Sequence, residues 1–356
     1  MTKEICQFLQ DPHCTSGWSP KRWSNLIQQG YANRSLAQIA ELISQYQLMG
    51  SIPPDLHWHI NAARTYHESH KHGVVQEIHA LYRALGFAQI TPILLKGAAY
   101  LAAGLNVGKG RVFSDIDAAV KREQLTPAEQ SLHWHGWSNM NKDDYDQHYY
   151  RVWMHELPPF VNGASGGVLD LHHTIVPPIS GRAPALRDFS TQQVEFKGLT
   201  LTTFTPAAML LHSAVHLMFE EDFSKGFRDI SDIHLLASEF TELDGFWSEL
   251  IEQAQTTGFE REVGLALRYS QHFFATKIPT KYSTSFNKHL PSRLILWVYD
   301  ILFTELLKPV DCLTTKSRIA SYTALIRGHL KKMPLHVLLY HTWHKITVSR
   351  TKKEKE

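Results

Sequence analysis

"LLKGAAYLAAGLNVGKGRVFSDIDAAV" spans residues 94 to 120. An apolar run ends at Lys96-Gly97, a short apolar segment follows, and a glycine-containing link leads to Asp115 and Asp117. "TPILLKG" has the short, continuous apolar pattern of a buried strand. "AAYLAAGL" reads as a short helix and "FSDIDAAV" as a second strand. Alternate strand residues share a face, so Asp115 and Asp117 point one way while Ile116, Ala118 and Val120 pack inward on the other. The two Asp Cα atoms would lie about 6.6 Å apart. Carboxylates are rarely buried unless something compensates their desolvation. A cation would do so. Mg²⁺ prefers hard oxygen ligands and is often held by one or two carboxylates together with substrate phosphates. Paired ions can stabilise both the attacking and leaving oxygens of an in-line displacement.

The neighbouring stretches extend this reading. A third carboxylate, Asp170, lies within "GGVLDLHHTI", another predicted apolar strand. It is either a functional group or an acceptor for a neighbouring amide or Arg. Gly97 allows a close backbone approach, and amides exposed at a helix start can bind phosphate. Lys96 or Arg111 could neutralise charge there. Upstream, residues 21 to 50 and 56 to 87 read as helices. "TPAEQSLHWHGW" reads as a helix started by Thr126-Pro127. "DQHYYRVWMHEL" reads as a strand, with "PPFVNGASG" as the link to the Asp170 strand, and "QQVEFKGLTLTTF" as further strand. From Thr205 onward the chain reads as helical. Three regions are expected: an N-terminal helical region at 1–90, an α/β core at 91–204, and a helical domain with a basic end at 205–356.

The order "LLKGAAYL", then "RVFSDIDAAV", then "VLDLH" resembles the uncharacterised nucleotidyltransferase family of the DNA polymerase beta-type superfamily. The resemblance covers roughly residues 75 to 280. It implies an α+β fold, with a small mixed β-sheet core flanked by N-terminal helices and a helical C-terminal half. Gly97 and Ala98 match the strand-to-helix turn, Asp115 and Asp117 the metal-binding pair, and Asp170 the third carboxylate. The implied reaction is Mg²⁺- or Mn²⁺-dependent transfer of a nucleoside monophosphate from an NTP such as ATP to an acceptor hydroxyl, releasing pyrophosphate. Lys96, Gly97, Ala98, Arg111 and Arg228 are the implied nucleotide-binding positions, and Asp170 the implied proton acceptor. Arg228 also reads as an i, i+4 helix pair with Asp232. In the same helices lie His212, His216 and Asp229. The turn departs from the usual Gly-Ser or Gly-Gly, which removes one hydroxyl contact. The link from Gly97 to Asp115, 18 positions, is longer than in many superfamily members.

Composition narrows the remaining classes. Hydrophobic residues make up 43% of the 356 and charged residues 20%, with net charge +2, the balance of an ordinary globular chain. Three scattered cysteines carry no metal or redox spacing, which predicts a reducing compartment. The N-terminus lacks a signal-peptide core, and no apolar stretch is long enough to span a membrane. A cytoplasmic location is expected. From Lys308 to the end there are 11 Lys and Arg against 3 Asp and Glu, either a solvated helical face or a site for an anionic partner. The 22 histidines include "HWH" at 57–59 and 133–135 and "HESHKH" at 67–72, but no His-Glu-x-x-His motif. On a helix His67 and His70 would be neighbours. In a strand only His172, not His173, shares the face of Asp170. Two other readings remain: a non-catalytic nucleotide-binding or antitoxin-like regulatory module with the same fold, and a hydrolase built on the His clusters. Replacing Asp117 by Asn is expected to relieve like-charge repulsion and so stabilise the metal-free protein.

Overall fold

The computed structural model describes residues 3–139, 149–312, 314–340 and Trp343. Its centre is a seven-stranded mixed sheet in the order β3-β4-β5-β2-β1-β7-β6. The strands are β1 (Ile93–Leu94), β2 (Asp115–Ala119), β3 (Trp137–Asn139), β4 (Phe160–Asn162), β5 (Val168–His172), β6 (Thr191–Phe196) and β7 (Leu199–Phe204). β2 runs antiparallel to β1 and parallel to β5. The expected "TPILLKG", "FSDIDAAV" and "GGVLDLHHTI" strands therefore lie side by side. Both faces of β2 are covered: Ile116, Ala118 and Ala119 are buried, as is the Asp117 side chain.

Helices α1 (Glu4–Gln10), α2 (Pro20–Ala32), α3 (Leu36–Gln45) and α4 (His57–Phe87) precede the sheet. The 21–50 stretch, read as one helix, is broken at Asn33–Ser35. Arg34 is left-handed there (φ 56°), and the Ser35 amide donates back to the Gly30 carbonyl. This tight turn allows α2 and α3 to pack against each other. Helix α5 (Lys96–Ala102) follows β1, and α6 (Leu125–Trp134) follows β2. Helices α7 (Pro206–Phe219), α8 (Gly226–Phe240), α9 (Phe246–Thr257) and α10 (Glu260–Phe274) form the helical half. Then come α11 (Thr280–Asn287), α12 (Arg293–Leu306) and α13 (Thr315–Lys332). Helix α1 packs on α10, and one hydrophobic core runs from Ile5 to Ala324.

One strand expectation fails. Of "DQHYYRVWMHEL", residues 146–148 lie outside the described residues, and Tyr149–Trp153 form a π-helical turn. Among the described residues the stretch meets the sheet at an isolated bridge, Glu156 to His172. The reason is competition for an edge. The presumed link "PPFVNGASG" supplies β4, which takes the β5 edge at Leu169 and Val168. The 155–157 segment can then pair only beyond it: the Leu157 amide donates to the Leu171 carbonyl, and the His173 amide to that of His155. An aromatic and β-branched composition reads the same whether the backbone is extended or coiled, so composition alone favours a strand in 149–153.

The His-rich stretch also has a structural use. His67 Nε2 accepts from the Gly110 amide (3.1 Å) and His70 Nε2 from the Phe113 amide (3.3 Å). Both imidazoles are pushed down in pKa, chiefly by burial, which suits an acceptor nitrogen. Helix α4 thus anchors the link that delivers β2. Gly110 adopts φ 73°, and a Cβ there would lie 2.4 Å from the Ala37 carbonyl oxygen. The long link is therefore packed against α3 and α4. Among the described residues, no helix is long and apolar enough to cross a membrane.

Candidate active site

The parallel register aligns Asp117 with Asp170, Asp115 with Val168 and Ala119 with His172. Aligned residues of adjacent strands share a face. Asp115, Asp117, Asp170 and His172 therefore project from the same side of the sheet. Where β1 ends, the Leu95 amide donates to the Asp117 carbonyl (2.9 Å). The next residue, Lys96, turns through a left-handed conformation (φ 46°) into α5. That turn places Lys96 Nζ 2.8 Å from Asp117 Oδ1. From the other side His172 Nε2 donates to the same oxygen at 2.9 Å.

The two central carboxylates are in opposite electrostatic states. Burial alone would raise Asp117, but the Lys96 ammonium and the His172 hydrogen bond hold it far below the usual carboxylate range. Among the described residues no cation pairs with Asp170. Burial, then the nearby charges of Glu156 and Asp117, push it up to about 7. The face thus carries surplus negative charge beyond what Lys96 neutralises. Such a donor set, three carboxylates on two neighbouring strands, fits a hard divalent cation.

These groups line a cleft of about 380 Å³, together with Lys96, Gly97, Arg111, Glu156, Lys225, Arg228 and Lys332. A larger hollow, about 1200 Å³, opens between α2–α4 and the β4–β5 turn. The two meet at Phe113, Asp115, Lys225 and Arg228. Of the positions singled out in the sequence, Asp115, Asp117, Asp170, Lys96, Gly97, Arg111 and Arg228 reach the cleft. Ala98 does not; its side chain is buried in the core. Helix α5 is only 7 residues long. The close approach at Gly97 is made by the Phe113 ring, 2.7 Å from where a Cβ would stand. Gly97→Ala is therefore expected to destabilise the fold by about 1–3 kcal/mol through overpacking, read as a lower urea midpoint. An unchanged midpoint would mean that Phe113 moves aside freely.

The Arg228–Asp232 pair does not form as expected. Asp232 is bound by the buried Arg111 guanidinium instead. Arg228 meets Asp229 at 3.5 Å, and its buried Nε has no hydrogen-bond partner. Sequence spacing detects helix neighbours, not a link residue arriving from β2's N-terminal side. His212 and His216 are held neutral by burial. The "HWH" groups are committed elsewhere: His57 to the Ile52 carbonyl, His59 to Tyr31, His133 to the Trp137 carbonyl and His135 to that of Ser131. They supply no hydrolytic centre. Glu156, His155, Lys225 and Lys332 were missed. The alternation around Glu156 would have flagged it only if the bridge to His172 were known.

The parallel pair β2 and β5 thus brings three carboxylates to one wall of a cleft that also holds Lys96, Arg111, Lys225, Arg228 and Lys332. The chain belongs to the family described as uncharacterised nucleotidyltransferase, which it matches over residues 19–275. Family membership supports nucleotidyl transfer as the general activity. An antigenic nucleotidyltransferase-like protein from Paracoccidioides brasiliensis is similar at 15% identity, over 57% of this chain and 96% of that one, with a TM-score of 0.32. No curated protein matches the chain. The family match ends before α11, so α12 and α13 lie outside it.

Proposed function

We propose that the cleft transfers a nucleoside monophosphate from an NTP to an acceptor hydroxyl. The observation that carries this reading is the Asp117–Asp170 register, which sets the third carboxylate beside the Asp115/Asp117 pair. The acceptor oxygen attacks the α-phosphorus, the bond to the bridging oxygen breaks, and pyrophosphate leaves. Asp170 lies where it can take the hydroxyl proton, directly or through one water. Lys225 and Arg228 stand in the cleft wall to bind the triphosphate. Arg228 suits this role because it lines both hollows where they meet. The larger hollow gives room for the second substrate. Asp115, Asp117 and Asp170 would hold Mg²⁺ or Mn²⁺, which when bound offsets phosphate charge.

One observation favours a second reading, a non-catalytic nucleotide-binding module. Lys96 already neutralises Asp117, as a metal would. At the basic C-terminal end, Lys331 is engaged by Glu262 and Lys332 by Glu220 and Glu221. An anionic partner would therefore be met by other basic residues of that segment. The test is incubation with each labelled NTP, Mg²⁺ or Mn²⁺ and cell extract. Label transfer with pyrophosphate release, lost in Asp115→Asn, is the expected result. NTP binding without pyrophosphate release would establish the second reading instead.

A further inference from the structure

Beside the three aspartates lies a second group of donors. His155 Nε2 stands 3.6 Å from Glu156 Oε2, and His172 Nε2 stands 3.5 Å from the same oxygen. One ligand atom from each of the three residues lies within 4.8 Å of the others. Zinc bonds of about 2.0–2.1 Å at tetrahedral angles place neighbouring donors roughly 3.3 Å apart. Both separations lie within a few tenths of an ångström of that edge. They are too long for hydrogen bonds. His155 Nδ1 is buried and has no hydrogen-bond partner. Among the described residues His155 Nε2 has no partner at hydrogen-bond distance, its nearest carboxylate oxygen being Glu156 Oε2 at 3.6 Å, so it is the nitrogen that can take a ligand.

We propose that His155, Glu156 and His172 form a binding site for a borderline transition-metal ion, Zn²⁺ in the first instance, adjoining the carboxylate site for Mg²⁺. Two imidazoles and a carboxylate are the donor set of zinc, whereas magnesium selects oxygen. Three protein ligands leave a fourth position for water or a substrate oxygen, and His155 and Glu156 both line the cleft. His172 now uses its Nε2 proton on Asp117. On binding, that nitrogen gives up its proton and coordinates the ion, so uptake releases a proton and weakens at low pH. His172 then no longer donates to Asp117, and Lys96 remains on that carboxylate. The sequence hides this group because His155 and Glu156 reach His172 through one bridge, not through a spaced motif.

The test uses the full chain, stripped with chelator, and Zn²⁺ alone with no nucleotide. Calorimetry is expected to show one equivalent bound at least 100-fold more tightly than Mg²⁺. Co²⁺ should give the visible absorption of a four- or five-coordinate nitrogen and oxygen site. His155→Ala and Glu156→Gln are each expected to weaken Zn²⁺ binding 10-fold or more. Asp115→Asn should leave it within about 3-fold. Zn²⁺ affinity unchanged in both His155→Ala and Glu156→Gln would overturn the site. So would a loss in Asp115→Asn as large as in His155→Ala, since the ion would then sit on the aspartates. Because no nucleotide is present, absence of nucleotidyl transfer leaves this result untouched.

Discussion

Asp117→Asn is expected to abolish turnover and also to weaken the fold, by about 3 kcal/mol. Asp117 is buried, and its Oδ1 receives both the Lys96 ammonium and the His172 imidazole. Removing one partner of a buried ion pair strands the other charge, at a cost of about 3–5 kcal/mol. The lower end applies because Lys96 retains some solvent contact. Sequence alone suggests the opposite sign, relief of repulsion between Asp115 and Asp117. That expectation omits Lys96, which chain order places 21 residues upstream of Asp117. Turnover should fall 100-fold or more, about 2.7 kcal/mol of transition-state stabilisation. The two effects separate in Asp117→Asn/Lys96→Met, where no cation is stranded. Denaturant midpoints should recover in the double variant while pyrophosphate release stays absent. Full activity in Asp117→Asn would remove that residue from the site; an unchanged midpoint would show that the ion pair adds nothing to the fold.

The difference between these two signs shows what can be read in the chain. Period-two alternation placed Asp115 and Asp117 on one face, and an apolar strand around Asp170 was equally plain. Their adjacency was not, since register between strands about 50 residues apart depends on which strand takes which edge. β4 illustrates the point: "FVN" is too short to carry a pattern and lies in a stretch that reads as a link, yet it forms the strand beside β5, while "YYRVW", which reads as strand, coils. The same limit hid Glu156. It also misassigned the partner of Asp232, because helix spacing proposes Arg228 whereas Arg111 arrives from the link before β2. The histidines of α4 read as metal candidates, but a helix 31 residues long presents its side chains to whatever crosses it. Here that is the link bearing Gly110 and Phe113. Local pattern thus reports faces and elements; the charge state of a site depends on contacts between them.

Asp170→Asn is expected to have the reverse stability effect while still removing activity. Among the described residues no cation pairs with Asp170, and burial with the Glu156 and Asp117 charges raises it to about 7 from 3.8. The folded state therefore binds its proton more tightly than the unfolded chain does. Between roughly pH 4 and 7 the native state holds more protons, so this group makes stability fall as pH rises through that window. Asn has no charge to desolvate. In chelator, Asp170→Asn should be more stable than wild type at pH 8, and the gain should fade towards pH 4. Catalysis should move the other way. A group needed only as bonds change lowers turnover more than ground-state binding. NTP affinity is expected to stay within about tenfold, roughly 1.4 kcal/mol, while transfer falls about 100-fold or more. Calorimetry and pyrophosphate release in wild type and variant measure the two quantities. A stabilised variant with wild-type turnover would leave Asp170 as a strained structural carboxylate and would favour the binding-module reading. A destabilised variant would mean that Asp170 is neutralised by a group other than those now facing it.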